Sequence, residues 1–382
     1  MMTGGRKWLL LACVGCVLFD LPASAEDVFD RNLGTELAPD STTAAVLSTS
    51  LDGFLSEVVA GEFSETYVEP NHLAKYEFFF DNIPDGTSRR EDTQFGLPSV
   101  LKSYSFDDES YYMTLSFSGT RGGDPFLYKV IELKAVPFHD HYRFYCRFEE
   151  LTAKLETKLI GDVTYHYDGE LDLEKARDFV EFKENFTALT KTTSLELDYY
   201  NFGSLDEMLK SYGILFDANK CNFLCNDLGI TEDEGRLFVT GMNREDYSRE
   251  FLQGHLYYRL PDSDNMYRAF REGMAIYYGG SWGGVTLDEM KDRFREELQA
   301  RPETDFLKMF RAGRKSSVRP HFSFYFMCGL FFEEILRTGE FDQALQMLYS
   351  GRGGETFFTN LEETLQVDES NFHETVVRLL GD

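Results

Sequence analysis

Basic residues are scarce in this chain: 38 Lys and Arg stand against 66 Asp and Glu in 382 residues, a formal net charge of −28. So negative a field repels nucleic acid and anionic membrane surfaces, and excludes both as partners. Tryptophan occurs twice and cysteine six times. No second Cys pair accompanies Cys221-x-x-x-Cys225, which excludes a four-cysteine zinc cluster. The apolar run Trp8–Phe19 is shorter than the roughly 20 residues a membrane helix needs, and nothing later matches it. No Gly-x-Ser-x-Gly elbow is present, and no cysteine has a local partner for nucleophilic work. The glycine-rich Gly279–Gly284 follows a helical pattern where a phosphate loop would open one, so a nucleotide site is excluded too. Internal repeats are absent.

What is present suits packed domains. Hydrophobic residues make up 42% and aromatics 15% of the chain, enough for two cores and too much for disorder. Arg6 and Lys7 precede the apolar run, and Ala23-Ser24-Ala25 supplies a small-residue cleavage site before Glu26, so residues 1–25 read as a secretory signal peptide. Neither Cys13 nor Cys16 has a clean lipobox, so cleavage and export to a secreted or periplasmic location is the expectation over lipid anchoring. Residues 26–50, polar and aperiodic, read as a weakly packed flexible leader.

The 51–169 segment reads as an α+β domain. Leu51, Phe54, Leu55, Val58 and Val59 have helical spacing, with Ser50 as the cap and Gly61 as the stop. Tyr76–Phe80 reads as an aromatic strand. Tyr111, Met113, Leu115 and Phe117 alternate with smaller or polar residues, the pattern of a half-buried strand. Residues 126–136, 142–151 and 153–166 complete a curved antiparallel sheet, with turns at Gly122-Gly123, Asp140 and Gly161. This arrangement loosely resembles the NTF2-like domains. His139-Asp140-His141 suits turn chemistry better than a metal pair. Cys328 sits in an apolar helix and reads as a small buried hydrophobe.

From residue 170 to 382 the chain reads as helix (171–190), strand (195–202), a short helix capped by Ser204, strand (236–240), and then helices from 247 onward. Apolar Phe322–Leu336 reads as a buried central helix, with further helices at 286–299, 340–349 and 370–380. Within Tyr247–Gly284, two helices are joined by a polar loop. Glu272-Gly273-Met274-Ala275-Ile276-Tyr277 opens the second, and the layout resembles the active-site half of the gluzincins, the thermolysin-type zinc peptidases of the MA group. There, histidines at i and i+4 of an HExxH helix bind zinc, the adjacent glutamate is the base, and a glutamate of the next helix is the third ligand.

The resemblance covers about residues 170–382 and implies a zincin-like fold whose first motif is broken. In the preferred overlay Arg249-Glu250-Phe251-Leu252-Gln253 takes the place of HExxH. Glu250 then stands at the base position, and Arg249, Gln253 and Glu272 at the three former ligand positions. The other overlay, Phe251 to His255, retains one histidine and loses the base. Neither provides three ligands: a guanidinium has no free lone pair, and a glutamine is a feeble ligand for zinc. The implied protein is a secreted, non-catalytic pseudo-peptidase holding no cofactor, with Arg249 standing in for the metal charge opposite Glu272 and Glu250. Its cleft, with His255, Tyr277 and Trp282 as candidate lining, would take a peptide or protein by strand addition. The alternatives are an active peptidase using atypical zinc ligands (His255, Glu272 and His321), and a structural surface-assembly protein whose cleft is filled by Tyr257, Tyr258, Tyr277 and Tyr278.

Overall fold

The structure, a computed structural model, describes residues 38, 40–83, 93–95, 98–105, 107, 109–218, 229–281, 285–313 and 321–381. The expected signal peptide, the leader up to residue 37, Cys221, Cys225 and Trp282 lie outside the described residues, as does the side chain of His321.

The chain is an α+β protein. Helix α1 (Ser41–Ala60) starts ten residues earlier than the apolar spacing predicts, because Asp40 caps it by accepting the amides of Thr42 and Thr43. The second part of the expected leader is therefore helical, with Leu47 fully buried. Ser50 is no cap; it lies inside the helix, donates to the Val46 carbonyl and accepts the Tyr142 amide. Gly61 ends the helix in the left-handed conformation, as read. The expected strand at Tyr76–Phe80 is instead the junction of α2 (Pro70–Lys75) and α3 (Glu77–Asn82). Pro70 at the start of α2 favours the helical turn, and Phe79 and Phe80 bury on one side of α3.

Two sheets follow. The first contains β1 (Thr93–Phe95), β2 (Ser99–Ser105), β3 (Tyr111–Arg121), β4 (Asp124–Phe138) and β5 (His141–Tyr145). Gly122 and Gly123, both at positive φ, turn β3 into β4. The first six residues of β3 are buried on both faces, so it is more enclosed than alternation implies. His139, also at positive φ, makes the β4–β5 turn. The expected strand at 142–151 stops at Tyr145 and gives way to α4 (Phe148–Thr152), and 153–166 is a hairpin broken at Gly161, β6 (Glu156–Ile160) and β7 (Val163–Tyr167).

That hairpin belongs to the second sheet. Beyond residue 170 come α5 (Leu173–Leu189), β8 (Leu197–Asn201), α6 (Leu205–Ser211), β9 (Ile214–Asp217), β10 (Gly229–Glu232) and β11 (Leu237–Thr240). The order is β10-β11-β8-β7-β6, parallel in the β11-β8-β7 core and antiparallel at both margins. Position 170 thus falls between β7 and β8, which pair in parallel, and β9 returns to pair with β4 of the first sheet. Neither β9 nor β10 was read from the sequence.

The period-2 pattern gives each face of the second sheet its own core. Leu197, Tyr199 and Phe238 pack against α5 and against Tyr247 and Phe251. Leu237 and Val239 point the other way, into the core shared with α1 and the first sheet. Helices α7 (Arg249–Arg259) and α8 (Arg268–Gly279) come next. The C-terminal part is α9 (Leu287–Ala300), α10 (Phe306–Gly313), α11 (His321–Thr338), α12 (Phe341–Leu348), α13 (Phe357–Leu365) and α14 (Phe372–Gly381), of which α10 and α13 were not anticipated. Around α11 they form an aromatic-rich core with α8. The α8–α11 crossing is tight: a Cβ on Gly273 would lie 2.6 Å from the backbone of Cys328 and Gly329.

Candidate functional site

Two glycines set the position of α7. A Cβ on Gly254 would come within 2.3 Å of Thr231, so the helix lies directly on β10, and Thr231 donates to the Glu250 carbonyl. A Cβ on Gly279 would come within 2.6 Å of the Arg249 backbone nitrogen. The last turn of α8 therefore touches the first turn of α7, and Ser248 reaches across to the Tyr278 carbonyl.

These contacts bring the side chains of Arg249, Gln253 and Glu272 together. Arg249 and Gln253 are i and i+4 on one face of α7. The Arg249 guanidinium meets Glu272 Oε2 at 2.5 Å, and the Gln253 amide donates to the same oxygen at 3.1 Å. Arg249 also pairs with Glu250. Arg268 approaches the other Glu272 oxygen at 3.8 Å. The side chains of Arg249 and Glu272 are 1% and 3% exposed, so this is a buried ion pair.

Burial works against the charge on Arg249, but Glu250 and Glu272 outweigh it and hold the guanidinium protonated. Burial pushes the Glu250 carboxyl up, against the pull of Arg249. Next to Glu272, burial lowers Arg271, whose Nε has no hydrogen-bond partner. Arg268 and Arg271 were missed in the sequence, although Arg268 stands four residues before Glu272, a spacing that signals a helical ion pair.

The other candidates lie elsewhere. His255 is two residues beyond Gln253, about 200° around the helix, and its Nε2 contacts the hydroxyls of Thr190 and Thr192 at 3.0 Å each. Burial, reinforced by Arg259 and Lys183, lowers its pKa to about 4, so the ring is neutral. Tyr277 packs edge-on against Tyr278 and Phe332 in the helical core, away from the ion pair.

Arg249, Gln253 and Glu272 do not fit a zinc ion: a protonated guanidinium occupies the carboxylate that would ligate it. Among the described residues no group of three or more His, Cys, Asp or Glu side chains is placed to hold a metal. His255 and Glu272, paired in the atypical-ligand reading, are turned to different partners. His139 and His141 flank an exposed turn, where His141 contacts the Thr66 carbonyl at 2.8 Å.

A second buried polar centre, unanticipated from the sequence, lies at the other end of β10. Glu232 accepts the Tyr212 hydroxyl at 2.5 Å and the Phe78 amide at 2.7 Å, tying β10 to α3 and to the end of α6. Compared with known proteins, the chain finds no match among protein-family models, curated proteins or solved structures.

Proposed function

We propose that this is a non-catalytic, zincin-like protein, exported from the cytoplasm, in which an arginine has taken over the charge-balancing task of a metal ion. The observation that carries this reading is the convergence of Arg249, Gln253 and Glu272 on one carboxylate oxygen. Two positions at i and i+4 of one helix and a glutamate of the next are the geometry a gluzincin metal site requires. Here the cation at its centre is covalently part of the chain. With Arg249 protonated and bound to Glu272, a guanidinium takes the place from which a metal would activate a water for Glu250.

The partner in this reading is a peptide or protein. Among the described residues β10 pairs on one side only, with β11, which suits strand addition. A structural role is the second reading, and one observation favours it: Thr231 of β10 packs straight onto Gly254, filling the space between strand and helix. Nucleic acid fits neither, given the net charge of −28. Among the described residues no helix is long and apolar enough to cross a membrane.

Zinc incubation of the purified chain, followed by dialysis and elemental mass spectrometry, tests the non-catalytic reading. The expected result is no zinc above the buffer blank. Stoichiometric zinc that disappears in His255→Ala would overturn it in favour of a hydrolase with atypical ligands.

A further inference from the structure

We propose that the outer edge of β6 pairs with the same edge of a second copy of this chain, joining two five-stranded sheets through an antiparallel β6–β6 contact. Among the described residues β6 ends its sheet and pairs with β7 alone. Glu156, Thr157, Lys158 and Leu159 are all exposed, so neither face of the strand is covered. Leu159 is 69% exposed, more than any other large hydrophobic side chain among the described residues. An open edge that carries an exposed apolar residue is a template for another strand. The opposite margin of the sheet differs, because α7 lies on β10 and α3 is tied to it through Glu232.

The hairpin fixes which backbone groups a second strand can meet. Its two-residue turn, Gly161 and Asp162, has Gly161 at positive φ and sets Ile160 opposite Val163. On the far side of β7 the Leu197 amide donates to the Asp162 carbonyl. The even-numbered residues of β7 therefore turn their backbone groups to β8, and the odd-numbered ones turn theirs to β6. Val163, Tyr165 and Tyr167 oppose Ile160, Lys158 and Glu156. Thr157 and Leu159 are left with N–H and C=O directed outward.

Charge selects the register. With Thr157 opposite Thr157 of the second copy, about a two-fold axis, the two residues exchange both backbone bonds. Glu156 of each chain then stands across from Lys158 of the other, in the closer kind of cross-strand pair, where opposite charges attract. Leu159 lies across from Leu155 of the other copy. Sliding the strands by two residues sets Lys158 against Lys158 or Glu156 against Glu156, like charges in direct opposition. Sliding by one matches outward backbone groups with inward ones. The net charge of −28 opposes self-association at long range. A Debye length of about 8 Å at physiological salt confines that repulsion, while the two Glu–Lys pairs act at contact. This surface stands apart from the zincin-like reading and does not depend on it.

The test is sedimentation velocity of the purified chain at physiological ionic strength over a concentration series, together with charge-reversal variants at these exposed positions. Wild type should pass from monomer to dimer as concentration rises. Glu156→Lys and Lys158→Glu should each raise the dissociation constant by about tenfold or more, since each turns two attractive pairs into two repulsive ones. Mixed in equal amounts, the two single variants should pair with each other. The double variant Glu156→Lys/Lys158→Glu should regain wild-type association, because the opposite charges again face each other. Thr157→Pro removes an outward N–H and leaves the β6–β7 ladder its bonds, so it should abolish the dimer. The proposal is overturned by a wild-type chain that stays monomeric up to about 1 mM, by single reversals that dimerise as well as wild type, or by a mixture and a double variant no better than the singles.

Discussion

Arg249 on α7 and Glu272 on α8 meet at 2.5 Å where the two helices touch, and both are almost fully withdrawn from water. Each compensates the other, with Glu250 also facing Arg249, so neither is expendable alone. Arg249→Ala should destabilise the fold by about 3–5 kcal/mol, because it strands a carboxylate in the interior. Arg249→Met combined with Glu272→Met should recover part of that loss, since the most buried pair is then removed together, although Glu250 and Arg271 each lose a partner. Urea unfolding of both variants checks this; an Arg249→Ala chain as stable as wild type would contradict it.

Gly273 sets how closely α8 approaches α11. Its absent Cβ would lie 2.6 Å from the Cys328 carbonyl carbon. Gly273→Ala gains helix propensity but pushes the helices apart, and overpacking of this kind costs about 1–3 kcal/mol. Chemical denaturation should show the net loss, and a gain in stability would mean the crossing is looser than described.

Glu232 predicts an unusual dependence on alkali. Burial, aided by Glu77 and Asp81, pushes its carboxyl from 4.5 up to about 8, against the bonds from Tyr212 and Phe78. The folded state thus keeps a proton that the unfolded state gives up. The stabilisation is complete below pH 4.5 and is lost as pH rises towards 8. Glu232→Gln should flatten that slope and stabilise the chain at pH 8 by on the order of a few kcal/mol. Unfolding measured across this window should show wild type and variant converging at the acid end; parallel curves would contradict the assignment.

His72 and His255 act in the opposite direction. Burial lowers each from 6.5 to about 4. The unfolded chain protonates first as pH falls, so their contribution is present above pH 6.5 and is lost on the way down to 4. Each should remove on the order of 1–3 kcal/mol over that range. Ring titration by NMR should find both midpoints well below the ordinary histidine value, and a midpoint near 6.5 for either would contradict its burial.

The helical half was legible because its signals are local. The apolar spacing of residues 322–336 and the acidic first turn at 286–299 each follow from neighbours a few residues apart, whereas Glu272-Gly273, expected to open α8, lies a turn inside a helix that begins at Arg268. Residues 41–50 misled because their Ser and Thr side chains are polar, yet Leu47, with Val46 beside it, anchors that stretch in the core. Tyr76–Phe80 misled because aromatic content favours strand, while burial of Phe79 and Phe80 on one side of α3 decides for helix. Strands β9 and β10 are four residues each, too short for a periodic signal, and the partner of β9 is β4, far back along the chain. At the site, opposite charges on neighbouring helices could be read, and so could the turn of His255 away from Gln253 by its two-residue spacing, but not that Gly279 brings the two helices into contact.

The central claim is that α7 and α8 are arranged as the two helices of a gluzincin site. The most direct test is zinc binding by the double variant Arg249→His/Gln253→His, measured by elemental mass spectrometry after dialysis and again after chelator treatment. The account predicts stoichiometric, chelator-reversible zinc in the double variant and none in the wild-type chain, because the introduced imidazoles would face Glu272 from one side of α7. A double variant that folds yet holds no more zinc than wild type would contradict it, leaving Arg249–Glu272 as an ordinary buried ion pair between two helices.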